Sequence, residues 1–147
     1  MFLNMMSDLF TYYCGSLTEF LRDIEGNQDN HLVKIILAQV STELNGCVFN
    51  HVLDNFAVMH IMKKHANEKE VLRGQIMVET DDLLMIPDIL AHYDTCEIQT
   101  QPNGRTLICY SKLYPDCIRF YVEEIRKGRH ELAGVTYYKK KKETHRR

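Results

Sequence analysis

The sequence predicts an α+β domain in which N-terminal helices pack on a four-stranded antiparallel β-meander. In the first half, apolar residues recur mostly at spacings of three and four, the period of one helix face. After Tyr93 the apolar residues alternate instead, as they do on a half-buried strand. The turn signals Pro102-Asn103-Gly104, Pro115-Asp116 and Gly128 then cut the second half into four short runs. Helices first and strands last, each with one face to bury, give helices covering one side of a sheet.

Taken in order, Ser7 precedes the run Leu9, Phe10, Tyr13, Leu17, Phe20, Leu21 and Ile24, which Gly26 closes, so the spacing predicts a first helix. Asp29 or Asn30 caps a second, with Leu32, Ile35, Ile36, Val40 and Leu44 as its apolar face, stopped by Asn45 and Gly46. Asp54 or Asn55 starts a third helix ending near His65, in which Phe56, Met59, Ile61 and Met62 pack inward while Lys63 and Lys64 face water. Gln75 to Val78 reads as a short strand, and Thr80-Asp81-Asp82 as the start of helical turns through Leu90. The meander strands begin at Cys96, Thr106, Cys117 and Leu132.

With 147 residues, 45% hydrophobic and 26% charged, the chain affords one core and falls outside the disordered, collagen-like and coiled-coil classes. No apolar run is long enough to span a bilayer, and Met1 to Tyr13 lacks the basic start and cleavage site of a signal peptide. The five cysteines, Cys14, Cys47, Cys96, Cys109 and Cys117, are odd in number and form no CxxC pair, so buried, reduced thiols in the cytoplasm are the expectation. From Arg126 onward nine basic residues face two acidic ones, a local +7 within a total of -2. Such a block is either a solubilising end or a patch for phosphates, and its attachment to the last strand favours the second.

No HExxH or CxxC occurs, and His60 and His65, five apart on a helix, point roughly 140° from each other, so no metal site is expected. Glycine-rich phosphate loops and a GxSxG elbow are also missing. The remaining arrangement suits phosphodiester cleavage without metal or other cofactor: a base for the 2′-hydroxyl proton, a cation for the charged phosphorane, and donors for its oxygens. His65 at a helix end beside Lys63 and Lys64, Lys112 at a strand end, and Thr136, Tyr137, Tyr138 and Lys139 on the last strand supply those types. Each also has an ordinary structural reading: His60 as a half-buried histidine, His65 as a helix C-terminal cation, Lys112 as an edge-strand guard, and Thr136 and Tyr138 as strand formers.

The segments Leu53 to His65, Asp81 to Leu90, Tyr110-Ser111-Lys112, Tyr121 to Ile125 and Leu132 to Lys139 together resemble the phage-associated nucleases of the barnase, EndoU, colicin and RelE fold. The resemblance covers roughly residues 47–142. It implies a metal-independent RNase in which helices lie against a four-stranded antiparallel sheet. It also implies a site built from a helix histidine, a strand cation, and a hydroxyl on the last strand. Carried over by position, these are His65 with His60 as a second candidate, Lys112, Thr136 and Tyr138. Lys139, Lys140, Lys141, Lys142 and Arg105 are the expected nucleic-acid contacts.

The expected organisation is a helical hairpin over 1–46, a nuclease-like domain over 47–142 and a basic tail over 143–147. The expected function is an endoribonuclease that leaves a 2′,3′-cyclic phosphate. The alternative is a non-catalytic RNA- or protein-binding module of a phage or mobile element. RNA is the expected partner, alongside a protein antidote or a phage or mobile-element protein, with no membrane.

Overall fold

The computed structural model describes residues 11–26, 31–41, 47–72 and 74–142. A short strand β1 (Thr11–Tyr12) precedes helix α1 (Leu17–Gly26). Ser16 caps α1 by accepting the Glu19 N–H at 3.1 Å, while the Glu19 carboxylate reaches back to the Ser16 N–H at 3.4 Å. Ser7, Leu9 and Phe10 of the expected first helix, the expected caps Asp29 and Asn30, and the basic end 143–147 lie outside the described residues.

The second expected helix is instead a strand, β2 (Val33–Ser41), paired antiparallel with β3 (Val48–Asp54). A register shift between Ile36 and Ala38 interrupts its alternation, so its apolar residues fall at helix-like intervals. β2 and β3 hydrogen-bond across the boundary expected at Gly46, which puts the residues before it in the same sheet. Helix α2 (Asn55–His65) follows β3 directly, and Asp54 caps it by accepting the Ala57 N–H at 2.7 Å. Asn55, Val58, Ile61 and His65 are its buried residues, whereas Phe56 and Met59, expected inside, are exposed. A turn leads to α3 (Glu68–Leu72) and β4 (Gln75–Ile76), then a 3-10 segment (Thr80–Met85) and α4 (Ile86–His92).

Strands β5 (Thr95–Thr100), β6 (Thr106–Leu113), β7 (Ile118–Arg126) and β8 (Glu131–Lys140) pair antiparallel in chain order. They are only part of the sheet. The strand order is β1-β2-β3-β8-β7-β6-β5, eight strands counting β4 on β8, with β1 parallel to β2 and β3 parallel to β8. The expected fold class is thereby overturned: the molecule is mostly β, built on one mixed eight-stranded sheet, and no N-terminal helical hairpin covers a separate meander. β3 and β8 meet only over Asn50–Val52 and Glu131–Ala133, and α2 continues along the rest of β8.

Alternation divides β8. Tyr137 shares a face with Tyr121 and Tyr110, which lie opposite it in register, and with Leu53, Ile61, Leu83, Ile86 and Ile89 these form the core. On the same face Asp82 accepts from Lys139 at 2.7 Å and Arg119 at 3.0 Å. Burial works against the Asp82 carboxylate, but the Glu79 N–H, Lys139 and Arg119 hold its pKa below the ordinary value. Lys34 and Glu131, both buried, pair at 2.8 Å and join β2 to β8. The expectation of buried cysteines holds for Cys117 alone: Cys47 and Cys109 are half-buried, Cys14 and Cys96 exposed. Among the described residues no helix is long and apolar enough to cross a membrane.

Candidate functional site

Thr136, Tyr138 and Lys140 occupy the face of β8 opposite the core. Tyr138 faces Phe120 across the β7–β8 ladder, and their rings stack at 4.7 Å and 7°. Lys140 Nζ lies 5.5 Å from the Phe120 ring centroid and 5.8 Å from that of Tyr138. His65, the last residue of α2, completes the group. Its Nε2 is 3.2 Å from Thr136 Oγ1 and its ring is 5.8 Å from that of Tyr138. The placement follows from the chain: a capped helix launched straight from β3 runs beside β8 and ends level with Thr136 and Tyr138.

The other ring nitrogen of His65, Nδ1, meets Glu70 Oε2 from α3 in a short hydrogen bond. Glu70 is fully buried, and Gln75, with its amide nitrogen turned toward the carboxylate, donates to it at 2.6 and 3.3 Å. A carboxylate accepts, so in the neutral tautomer that donates Nδ1–H to Glu70 the acceptor facing the Thr136 hydroxyl is Nε2. This is the orientation by which a carboxylate fixes an imidazole as a base. Burial, and after it Cys109, pushes the Tyr138 phenol up to about 12, so it stays protonated and able to donate at neutral pH.

Of the residues singled out from sequence, His65, Thr136, Tyr138 and Lys140 come together. Lys112 does not: it lies on the core face, in register with Arg119, and its Nζ donates to the His92 carbonyl at 3.1 Å. Lys139 is also on that face, buried and paired with Asp82. Arg105 is neutralised by Glu124 at 2.7 Å. Lys141 and Lys142 are exposed just beyond β8. His60 is exposed and lines a different pocket with Lys63, Lys64, Asn67 and Lys69. Among the described residues no group of three or more His, Cys, Asp or Glu side chains is placed to hold a metal ion.

Sequence reasoning missed Glu70, Gln75 and Phe120. Glu70 reaches His65 only because the chain turns back at Ala66–Asn67, and Phe120 reaches Tyr138 only through the strand register, neither of which leaves a local pattern. A second histidine–carboxylate pair was also missed. His51 Nδ1 lies 2.7 Å from Glu123 Oε2, and the Tyr110 hydroxyl donates to Glu123 Oε1 at 2.8 Å. Burial raises the Glu123 pKa although His51 and Tyr110 pull it down, and burial likewise raises that of Tyr110.

A family model described as phage-Barnase-EndoU-ColicinE5/D-RelE like nuclease3 matches residues 29–147. No curated protein and no solved structure matches the chain.

Proposed function

Starting from a chain that belongs to the phage-Barnase-EndoU-ColicinE5/D-RelE like nuclease family, we propose that it is an endoribonuclease that turns the 2′-hydroxyl of RNA on the adjacent phosphate and leaves a 2′,3′-cyclic phosphate. The observation that carries this reading is the chain of contacts Glu70–His65–Thr136 beside Tyr138 and Lys140.

In this reading His65 Nε2 takes the 2′-hydroxyl proton, and Glu70 stabilises the imidazolium that forms. Lys140 balances the charge of the phosphorane, and the Thr136 hydroxyl donates to one of its oxygens. Tyr138, protonated at neutral pH, gives its proton to the departing 5′-oxygen. Phe120 and Tyr138 present an aromatic surface against which a base can stack. Lys112, assigned the cation role by sequence, is replaced in it by Lys140, because only Lys140 shares the face of His65.

The test is cleavage of RNA in EDTA. Wild-type protein is expected to produce cyclic-phosphate ends from RNA and leave DNA intact, since DNA lacks the nucleophile. His65→Ala is expected to slow the reaction by about 10² to 10⁴, the usual worth of a general base. A specific observation favours a second reading, a non-catalytic RNA-binding module of a phage or mobile element: His65 is only 6% exposed and both its nitrogens are engaged. Wild-type protein that binds RNA but cleaves none of a varied set selects that reading.

A further inference from the structure

The end of α2 carries a second cationic feature on the side away from β8. His60, Lys63, Lys64 and Lys69 line an open pocket of about 390 Å³, with Asn67 between them. Two of the lysines have an ordinary explanation, because cations at a helix C-terminus interact favourably with its dipole. Lys69 and His60 do not fit that explanation. Lys69 belongs to α3, and His60 lies more than a turn before the end of α2.

Lys69 is brought there by a fixed turn. Asn67 Nδ2 donates to the Lys63 carbonyl at 2.8 Å, and its Oδ1 accepts the Lys69 N–H at 2.9 Å. One side chain therefore clamps both ends of the turn and holds the lysines of two helices over one pocket. Among the described residues none of Lys63, Lys64 and Lys69 forms an ion pair, and no described carboxylate side chain lines the pocket. Like charges held together repel one another, and an anion relieves that repulsion.

We infer that this pocket is a phosphate subsite that holds the backbone of a single strand beyond the bond facing His65. The inference rests on the RNA reading above. His60 and His65 are five residues apart on α2, roughly 140° around its axis, so the pocket and the His65 cluster look out on different sides of one helix end. A strand passing round that end travels about a helix width, ~10–12 Å. At a stacked spacing of ~3.4 Å this is about three nucleotides. The pocket therefore matters for oligonucleotides long enough to make the turn and not for the shortest substrates.

The experiment uses the full chain and single-stranded 2′-deoxy oligonucleotides of two to twelve nucleotides, which the proposed chemistry leaves uncut, with binding followed by fluorescence anisotropy across a salt series. Wild-type affinity is expected to rise with length. The triple variant Lys63→Gln, Lys64→Gln, Lys69→Gln is expected to lose about tenfold or more on the twelve-mer and little on the dimer. Its log–log salt slope is expected to flatten by about 2, the value for three phosphate contacts on a single strand. Lys127→Gln with Arg129→Gln, two exposed charges on the β7–β8 turn, serves as the control and is expected to bind as wild type. Unfolding midpoints of both variants confirm that they are folded.

A length dependence and salt slope unchanged in the triple variant overturn the inference. So does a dimer, or inorganic phosphate as competitor, that occupies the pocket as tightly as the twelve-mer, because that marks a site for free phosphate. A protein that cleaves no RNA but shows the lysine-dependent length effect supports the subsite and discards the nuclease reading.

Discussion

The protein contains two histidine–glutamate pairs, His65–Glu70 and His51–Glu123, and they differ in what lies beyond the imidazole. In both, Nδ1 meets a carboxylate that is fully buried. In the first the carboxylate is the sealed end, and Nε2 looks across at Thr136, Tyr138 and Lys140 on the non-core face of β8. In the second the carboxylate is the centre: Glu123 on β7 takes His51 from β3 on one oxygen and Tyr110 from β6 on the other. That arrangement ties three strands together. The pair itself does not distinguish the two; the direction of the second ring nitrogen does.

The largest effect that tests this contrast comes from removing each imidazole in turn. His65→Ala is expected to lower RNA cleavage by about 10² to 10⁴. His51→Ala is expected to lower stability by about 1–3 kcal/mol, because Glu123 stays buried with a partner missing, and to leave activity per folded molecule unchanged. Chemical denaturation and initial rates on the same two samples settle it. If both variants lose activity in proportion to stability, the two pairs are equivalent and the contrast collapses.

Next in size is Gly134→Ala, on the sealed side. A Cβ at Gly134 would overlap the Tyr121 hydroxyl and approach Leu53 Cδ1 to 3.0 Å. Both neighbours are fully buried, so relief requires moving the core, and a loss of about 1–3 kcal/mol is expected. The Tyr121 hydroxyl has no hydrogen-bond partner among the described residues. Tyr121→Phe in the Gly134→Ala background is therefore expected to recover part of the loss, and a double variant no more stable than Gly134→Ala contradicts the overlap as its cause.

These two regions were also unequally legible. Strands β5 to β8 could be read because turn signals separate them and β-branched and aromatic residues run between those turns. α2 could be read from its cap and its length. β2 was misread because a bulge shifts its alternation, and β3 shows no clear alternation because His51, Val52, Leu53 and Asp54 are all buried, as in strands with both faces covered. Missing β2 and β3 concealed the mixed sheet, and with it the pairing of His51 with Glu123. In the candidate site His65, Thr136 and Tyr138 were accessible from residue type and order. Lys112 was misplaced because the strand's two faces look equally polar at that end, and only register puts Lys112 with Arg119 rather than with Ser111.

A smaller effect separates the pairs by pH. Burial raises the Glu123 pKa, so the folded state holds a proton that the unfolded chain has released just above the ordinary value of 4.5. The folded state binds more protons there, and stability is expected to fall as pH climbs from about 4.5 through the folded-state value, then to level off. Glu123→Gln is expected to remove that slope in pH-dependent unfolding. A slope of the same sign that survives in Glu123→Gln assigns it to another group.

The smallest expected effect is that of Thr136→Val, and it bears most directly on the His65–Glu70 pair. Valine keeps the β-branched shape that suits β8 and removes only the hydroxyl that faces His65 Nε2 at 3.2 Å. A single hydrogen bond has a net worth of about 0.5–1.5 kcal/mol, so stability is expected to change by no more than that. If the hydroxyl only satisfies a buried imidazole, cleavage follows the folded fraction and otherwise stays at the wild-type rate. If it also donates to the phosphorane, the rate falls by about tenfold at saturating RNA, the equivalent of ~1.4 kcal/mol of transition-state stabilisation, while KM holds. Steady-state kinetics that show kcat unchanged remove Thr136 from the chemistry and leave His65, Tyr138 and Lys140 to carry it.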